Sequence, residues 1–458
     1  SEGEREKMKN RKTADVIILN VGEEQYPQEY LGNVADTVSN EIQKMECNVK
    51  GRFTVMNFAD AQRVAGTLKD TTMDLFIINF LSWHITPNVM HIIKDHTDTP
   101  LLIWGIGGVT DKTGKLHSPA AAAGITGFLP IVKEFGFKYK VILEKPDESH
   151  RYTEVAQYIH SVSCAKTIRS SRIGLIGYAD MGLYTCAYDK TQLFKKLGID
   201  IENYCGYEIA GLMEKFSDKQ VNETVGMIKS TVRMQNKVAD KPLEAVARLY
   251  LAMKDKADGK ELDAISVKCV DGITKLGFNP CLAQSLLADK DLQVICECDA
   301  YGLVTSIILS TVTGHTSAFV EHYEVFDNEV LVGVCGFIPR DFTEGEMEIK
   351  AANLGEYNTG ISNVSRLKCG EVTLGRFYYA DGRFKLFLAK GQTKPSPKWT
   401  ELGWEEPTPD FPAVLLDPQM DMEEYIDKVP GQHIIMVYGD YIREIETVCD
   451  LLNIEVVR

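Results

Sequence analysis

Residues 294–302, VICECDAYG, place two cysteines and two carboxylates directly after a run of apolar residues. Cys296 and Cys298 are separated by one residue, and so are Glu297 and Asp299. Because side chains alternate between the two faces of a strand, the thiols would share one face and the carboxylates the other. The stretch therefore suits either a thiolate metal site or a carboxylate site.

The thiolate site lacks partners. A structural zinc ion needs four ligands, which commonly come from two paired clusters. The other cysteines of the chain supply no second pair with this spacing. Since free cysteine is among the most buried residue types, we interpret Cys296 and Cys298 as packing residues of a buried strand.

For Glu297 and Asp299 two interpretations stay open. Acidic residues are rarely buried unless they are paired or bind a metal. Either the strand has ended and both carboxylates are solvated, or its end presents them to a ligand. The second interpretation is reasonable because ligands bind at the carboxyl ends of parallel strands in open α/β sheets.

Two distant residues extend the carboxylate interpretation. Glu321 lies between apolar residues in HTSAFVEHYEVFDNE, and His433 precedes the apolar run of GQHIIMVYGD. Taken alone, Glu321 reads as a solvated side chain and His433 as a hydrogen-bonded structural residue. Together with Glu297 they form two carboxylates and one imidazole, a set that suits a divalent ion such as Mn²⁺.

Other chemistry has less support. GLIGYADMG does not have the G-x-G-x-x-G spacing, and WGIGG lacks the lysine of a phosphate loop, so no nucleotide cofactor is expected. We find no G-x-S-x-G motif and no convincing Ser/His/Asp or Cys/His pair. Trp83 and His84 follow a predicted strand and could line a sugar site, although a loop aromatic more often packs against its neighbours.

The elements that must position these residues follow from the hydrophobic pattern. Up to residue 168, short apolar runs such as DLFIINF alternate with helix-length segments, which predicts parallel strands with crossover helices. Residues 169–311 repeat the pattern and place Glu297 at the end of the buried strand LQVIC. Residues 312–458 read as antiparallel strands, with an Asp-Gly hairpin signal in ADGR. The predicted fold is α/β: two Rossmann-like parallel-sheet domains (1–168 and 169–311), then an antiparallel, barrel-like β domain (312–458).

Composition narrows the class of protein. The net charge of −15 argues against a nucleic-acid partner, which would require a basic face. No stretch approaches the ~20 apolar residues of a membrane span, and the polar start has no signal-peptide core. Eleven scattered cysteines suit free thiols in a reducing compartment. We expect a cytoplasmic protein that acts on a small molecule.

The order and spacing of four motifs resemble the L-fucose isomerase and L-arabinose isomerase family, in particular its shorter fucose-isomerase-like members. The motifs are ISVKC, CECDAYGLVTSIIL, SAFVEHYEVFDNEVLVGVCGF and GQHIIMVYGD, and the similarity covers nearly the whole chain. The resemblance implies an aldose–ketose isomerase that uses Mn²⁺, with Co²⁺ or Mg²⁺ as alternatives. It also implies a homo-oligomer, a hexamer or similar, and a cis-enediol(ate) intermediate of an open-chain sugar.

By motif position, the resemblance makes Glu297, Glu321 and His433 the metal ligands, and the two glutamates also the catalytic pair. On a looser motif similarity, it further implies that Trp83 and Lys268 lie in substrate-lining segments.

We add His84 to these substrate-binding candidates because it neighbours Trp83. Asp299 is added as a residue that orients a ligand or a substrate hydroxyl.

One position departs from the family pattern. Arabinose isomerases and many shorter relatives have a further histidine where this chain has Val334 and Cys335. The three-ligand site of fucose isomerases therefore fits better, and the substrate stays open. L-Fucose- or L-arabinose-type sugars are expected first. The alternatives are a sulfonated hexose such as sulfoquinovose, with Lys268 and Arg340 as candidate cations, and a non-catalytic sugar-binding protein.

Overall fold

The structure, a computed structural model, describes residues 11–272, 278–354, 357–403 and 411–458. The chain forms two compact units, Arg11–Lys166 (the N-terminal unit) and Thr167–Arg458 (the C-terminal unit). The predicted mixed α/β fold, with parallel sheets and a C-terminal antiparallel barrel, is confirmed. The three domain boundaries stay a prediction. Within the described ranges, no helix has the length and apolar character needed to cross a membrane.

The N-terminal unit contains a five-stranded parallel sheet. Its elements, in chain order, are β1 (Asp15–Val21), α1 (Gln28–Gln43), β2 (Asn48–Val55), α2 (Phe58–Leu68), β3 (Leu75–Phe80), α3 (Thr86–Ile93), β4 (Leu101–Gly105), β5 (Val109–Thr110), β6 (Leu116–His117), α4 (Ala121–Glu134), β7 (Tyr139–Leu143) and α5 (Tyr152–Ile168). The strand order is β2-β1-β3-β4-β7, and the short strands β5 and β6 form a separate hairpin. Strands β3 and β4 are buried along their whole length, which explains why both read as continuous apolar runs.

The C-terminal unit combines a parallel sheet with a barrel. Its elements are β8 (Arg172–Ile176), α6 (Lys190–Leu197), β9 (Asp200–Tyr204), α7 (Gly206–Met213), α8 (Asp218–Thr231), β10 (Val232–Met234), α9 (Asp240–Lys260), β11 (Ala264–Val267), α10 (Cys281–Leu287), β12 (Gln293–Cys296), α11 (Ala300–Thr313), β13 (Ala318–Val325), β14 (Val330–Gly333), β15 (Met347–Leu354), β16 (Tyr357–Asn363), β17 (Glu371–Ala380), β18 (Arg383–Pro395), β19 (Ala413–Asp417), α12 (Met422–Lys428), β20 (His433–Tyr438), α13 (Ile442–Leu451) and β21 (Glu455–Val457).

The parallel sheet of this unit has the order β12-β11-β8-β9. Val267 pairs with Ile176 on one side and with Cys296 on the other, so three strands end at the same level. The residues that follow these strands, among them Lys268 and Glu297, therefore lie along one edge of the sheet. This edge is where α/β proteins bind their ligands.

The barrel has six antiparallel strands in the order β17-β20-β13-β14-β19-β18, closed by the pairing of β18 with β17. Strand β21 adds to β18 in parallel, and β10, β15 and β16 form a separate three-stranded sheet. The predicted hairpin is present: Asp381 and Gly382 have φ angles of 53° and 74° between β17 and β18.

Helix α11 connects the parallel sheet to the barrel. All of its residues are buried, as expected for a helix that is apolar on every side. It packs against β12 of the sheet and against β17 and β20 of the barrel. The approach to β17 is close, because a Cβ at Gly375 would lie 3.2 Å from the methyl carbon of Thr305. The first turn of α11 is thereby held beside both layers.

Candidate active site

Glu297, Glu321 and His433 come together in the C-terminal unit. Each contributes a ligand atom, and the three atoms lie within 4.8 Å of one another. Glu297 and His433 are buried, with 2% and 1% of their surface exposed, while Glu321 is half-buried. These are the three residues that the sequence predicts as metal ligands, and the structure brings them to one place.

The barrel register positions two of them. Glu321 in β13 stands directly opposite His433, the first residue of β20. Such cross-strand partners have Cβ atoms about 5 Å apart and on the same face. The neighbouring His322 points elsewhere: its Nδ1 lies 2.8 Å from the Gln432 carbonyl oxygen and its Nε2 2.7 Å from the Tyr425 hydroxyl. Alternation along β13 thus separates a site residue from a structural histidine.

Glu297 arrives from the parallel sheet through a strained turn. Strand β12 ends at Cys296, and Glu297 and Cys298 have φ angles of 66° and 50°. This left-handed region costs a non-glycine residue about 1 kcal/mol or more. The turn is held because the Ser266 hydroxyl accepts a bond from the Cys298 amide at 3.0 Å and the Asp180 amide donates to the Glu297 carbonyl. The alternation expected of a strand therefore stops at Cys296.

Two buried atoms of the site, Glu297 Oε2 and His433 Nε2, have no hydrogen-bond partner in the described part of the chain other than each other. They face each other at 3.1 Å. Burying polar atoms with so few bonds is costly, and coordination of a cation by both atoms would offset part of that cost. The donor set, two carboxylates and an imidazole, fits a divalent ion that prefers oxygen and nitrogen.

The other nitrogen of the His433 ring, Nδ1, is held by a carboxylate on the side away from Glu297. His433 Nδ1 lies 2.8 Å from Asp299 Oδ2. Burial by itself would lower the pKa of His433, but this hydrogen bond and further polar contacts raise it well above its ordinary value. A hydrogen bond of this kind orients the ring and directs Nε2 at the facing ligand position.

Asp299, which was predicted as a substrate-binding or orienting residue, is held by hydrogen bonds from Gly302, Arg376 and His433. It has no exposed surface, caps α11 by accepting a bond from the Gly302 amide at 2.9 Å, and pairs with Arg376. Burial would raise the pKa of Asp299, but the Arg376 guanidinium and His433 hold it well below its ordinary range. The carboxylate is therefore charged and faces His433, so its position matches the orienting role.

Arg376 is the residue of this region that the sequence analysis missed. It lies in β17, is 1% exposed, and donates to the Thr185 carbonyl oxygen at 2.8 Å as well as to Asp299. The available signal was a lone arginine inside the apolar strand TLGRFYY, because a buried arginine almost always has a partner. The sequence alone did not indicate which acid would be that partner.

Glu321 differs from the other acids of the site. Burial raises its pKa to about 7, and the neighbouring Glu297 carboxylate adds to the increase. Two carboxylates this close repel each other, so a cation between them would relieve the repulsion.

A second group of donors, Cys186, Asp299 and His433, also lies within 4.8 Å. Its atoms are engaged with each other: Nδ1 of His433 bonds Asp299, and the Cys186 sulfur lies 3.8 Å from the same Nδ1. The Arg376 guanidinium already supplies the positive charge beside Asp299. We therefore assign this group to the support of the imidazole.

The cysteines behave as packing residues. Cys296 and Cys298 are 2% and 0% exposed, so both are buried as predicted, but Cys298 lies in the turn after β12 and not in the strand. No three thiols of the described chain lie together as a metal group. Cys335, which replaces the family histidine, contacts the Cys281 thiol, and this contact together with burial raises its pKa well above the ordinary value. Cys335 is in neither ligand group of the described residues, so it does not take the place of the missing imidazole.

Lys268 and Arg340, the candidate cations for an anionic sugar, are already engaged. Lys268 stands at the sheet edge with Nζ 3.0 Å from an Asp271 carboxylate oxygen. Arg340 donates to the Thr231 carbonyl oxygen at 2.9 Å. Of the two, only Lys268 lies near Glu297 in the sheet: Lys268 follows β11, and Glu297 follows the neighbouring strand β12.

Trp83 and His84 follow β3 in the N-terminal unit. Trp83 is 38% exposed, whereas His84 is 3% exposed and packs edge-on against Phe80, with ring centroids 4.6 Å apart. Neither ring nitrogen of His84 has a hydrogen-bond partner in the described residues, and burial lowers its pKa to about 4. Within its own unit, His84 is a neutral, buried ring.

Comparison with known proteins agrees with the motifs. Residues 337–458 match the family model of the L-fucose isomerase C-terminal domain. The sulfoquinovose isomerase of Alkalicoccus urumqiensis is 20% identical over 376 residues, which is 79% of this chain and 81% of that protein. The sulfoquinovose isomerase of Clostridium sp. (strain MSTE9) is 20% identical over 382 residues, with the same two shares. The chain is an aldose–ketose isomerase that is similar to the fucose isomerase family.

Proposed function

We propose that the chain interconverts an open-chain aldose and its ketose through a cis-enediolate, in a reaction that depends on a divalent metal. The proposal is carried by one observation. Glu297, Glu321 and His433 bring two carboxylates and an imidazole within 4.8 Å of one another, and the buried atoms Glu297 Oε2 and His433 Nε2 have only each other as a partner among the described residues, at 3.1 Å. Simple sugar binding does not require this trio of donors.

Glu297, Glu321 and His433 would hold the ion. Carboxylate and imidazole donors suit Mn²⁺, and Co²⁺ or Mg²⁺ are the alternatives. When bound, such an ion supplies a Lewis acid for the sugar carbonyl and the adjacent hydroxyl. His433 has its Nδ1 committed to Asp299, so we assign it ligation and no proton transfer.

The two glutamates would move the protons. Isomerisation transfers one proton between C1 and C2 of the sugar and another between the two oxygens. In the proposal, one carboxylate removes the proton from carbon and the other carries the proton between oxygens, since positioned carboxylates are effective general bases and acids. Their closeness, with ligand atoms within 4.8 Å of one another, supports a shared substrate.

We propose sulfoquinovose as the first substrate to test, because both relatives named above are sulfoquinovose isomerases. L-Fucose- or L-arabinose-type sugars come second, supported by the C-terminal family match. A sulfonate requires a cation, and Lys268 is the candidate on the strand edge beside Glu297. Trp83 is kept as a proposed sugar-lining residue on the strength of the motif resemblance, and His84 is kept only because it stands beside Trp83 after β3.

The test is proton NMR of a sugar panel in deuterated water, with Mn²⁺ or with chelator. The panel contains sulfoquinovose, L-fucose, L-arabinose, D-arabinose and common hexoses. We expect deuterium to enter at C1 or C2, with ketose accumulating, only when Mn²⁺ is present. Glu297→Gln should abolish the exchange, and Glu324→Gln, an exposed glutamate on the same strand β13 as Glu321, is the matched control that should not.

The outcomes separate the alternatives. Exchange with L-fucose but not with sulfoquinovose would contradict the substrate assignment and leave the reaction standing. If the protein binds no Mn²⁺ and no sugar exchanges deuterium, the metal-dependent isomerase is refuted and the non-catalytic sugar-binding protein takes its place.

A further inference from the structure

A buried ion pair stands directly behind the proposed metal site. Asp299 and Arg376 have 0% and 1% of their surface exposed. Both Asp299 oxygens contact the guanidinium, and the oxygen contacted by Nη2 lies 3.2 Å away. A pair this deeply buried is weak evidence for stability by itself, because desolvating two charges is costly. A reason for keeping the pair must therefore come from what it touches.

We infer that Arg376 is a positioning residue of the metal site, which acts through Asp299 on the imidazole of His433. The inference rests on the proposed function, since it assigns Arg376 to the ion that Glu297, Glu321 and His433 would hold. Arg376 itself would touch neither the ion nor the sugar.

The hydrogen-bond geometry carries the first step. Asp299 Oδ1 accepts from the Gly302 amide at 2.9 Å and from Arg376 at 3.2 Å, while Oδ2 accepts from His433 Nδ1 at 2.8 Å. The carboxylate is thus held between the first turn of α11 and the guanidinium and cannot rotate. Because its Oδ2 direction is fixed, the plane of the His433 ring and the direction of Nε2 are fixed as well.

Arg376 in turn is anchored on two sides. Its strand β17 pairs with β20, the strand that His433 begins, with Gly375 opposite Ile435. Its Nη2 also donates to the Thr185 carbonyl oxygen at 2.8 Å, and the Thr185 hydroxyl donates to the Gln432 side chain at 2.8 Å. Gln432 immediately precedes His433 in the chain. The guanidinium therefore lies between Asp299 and Thr185, and Thr185 in turn contacts the residue that precedes His433.

Charge gives a second, independent reason. Around His433 the site gathers three carboxylates, those of Glu297, Glu321 and Asp299. Arg376 compensates the charge of Asp299, which leaves the carboxylates of Glu297 and Glu321 to face a divalent ion. Without Arg376, Asp299 would be an uncompensated buried charge competing for the imidazole or the cation.

The test is the Mn²⁺ affinity of the whole chain, measured from the electron paramagnetic resonance signal of free Mn²⁺. We expect Arg376→Met to weaken binding about 10- to 100-fold, the usual effect of removing a residue that supports a metal ligand. Arg376→Lys keeps the charge but not the two-pronged contact and should fall between. The matched control is Arg248→Met on α9, which loses contacts to Asp218 and to two carbonyl groups and should bind as the wild type does.

A double-mutant cycle distinguishes positioning from general damage. If Arg376 acts through the imidazole, Arg376→Met will cause no further loss of affinity in a His433→Ala background. An equal further loss in that background would overturn the inference, and so would wild-type affinity in Arg376→Met itself. If Arg376→Met does not fold, the double variant Arg376→Met/Asp299→Asn is used in its place, because it removes both buried charges. Its Mn²⁺ affinity is then compared in the His433 and His433→Ala backgrounds in the same way.

The failure of the proposed function looks different. In that case the wild type itself would bind no Mn²⁺, or Glu297→Gln would bind Mn²⁺ as tightly as the wild type. Either result would remove the metal site and this inference together. A wild type that binds Mn²⁺ and loses it in Glu297→Gln, while Arg376→Met is unaffected, would refute the role of Arg376 alone.

Discussion

His84 should make the stability of the N-terminal unit depend on pH. The ring is 3% exposed and packs against Phe80 and Phe128, and burial lowers its pKa from 6.5 to about 4. Between these two values the folded protein keeps the ring neutral while the unfolded chain takes up a proton. Lowering the pH from 6.5 to 4 therefore favours the unfolded state, and the free energy of unfolding decreases.

The size of the effect follows from the shift. One proton corresponds to about 1.4 kcal/mol for each unit of pKa difference. The contribution of His84 should thus fall by about 3 kcal/mol in total as the pH reaches 4, and no further below it. His84→Leu places an apolar side chain at the buried position and removes the titrating imidazole.

The assay compares the two proteins in urea at pH 7, 5.5 and 4.5, following the fluorescence of Trp104, which is buried in the same unit. The difference in unfolding free energy between wild type and His84→Leu should shift in favour of the variant as the pH decreases. NMR titration of the imidazole checks the cause directly. A pKa near 6.5, or a difference that does not change with pH, would refute the reasoning and make His84 a solvated residue.

Three further predictions concern the C-terminal unit. Glu297→Gln should leave the circular dichroism spectrum unchanged and lower kcat by roughly 100-fold or more, since it removes one of the two proton-transferring carboxylates. A smaller loss in the proton NMR assay would contradict its role. His433→Ala should weaken Mn²⁺ binding, measured by titration calorimetry, and unchanged affinity would show that the site has other ligands. Arg376→Met should lower the free energy of unfolding in chelator by about 3–5 kcal/mol, because it leaves Asp299 buried without a partner. Arg376→Met/Asp299→Asn should recover part of that loss in urea denaturation, and no recovery would mean that the buried charge is not the cause.

The fold could be predicted from the sequence because its signals are local. Buried parallel strands such as β3 read as unbroken apolar runs, and the Asp381–Gly382 turn has its own chemistry. The carboxyl end of β12 could likewise be placed at a ligand-binding edge, which singled out Glu297.

The arrangement of the site depends on strand register and on contacts between distant elements, which the residue pattern does not define. That Glu321 faces His433 is a matter of register between β13 and β20, strands far apart in the chain, so their proximity was inferred from motif order alone. The left-handed turn at Glu297 and Cys298 could not be predicted from residue propensities, because non-glycine residues rarely adopt this conformation. Arg376 was missed since its partner, Asp299, lies on another element.

The proposed ligands come from two layers, one from the end of the parallel sheet and two from the barrel wall. An ion held by all three would join those layers, and any ligand that binds only the folded chain adds to its stability by mass action. At a hundred times the dissociation constant this amounts to about 2.7 kcal/mol. His433 is also the last of the three to be synthesised. A nascent chain would therefore gain this stabilisation only once β20 has joined the barrel. In cells that lack the metal, the enzyme would be less stable as well as less active.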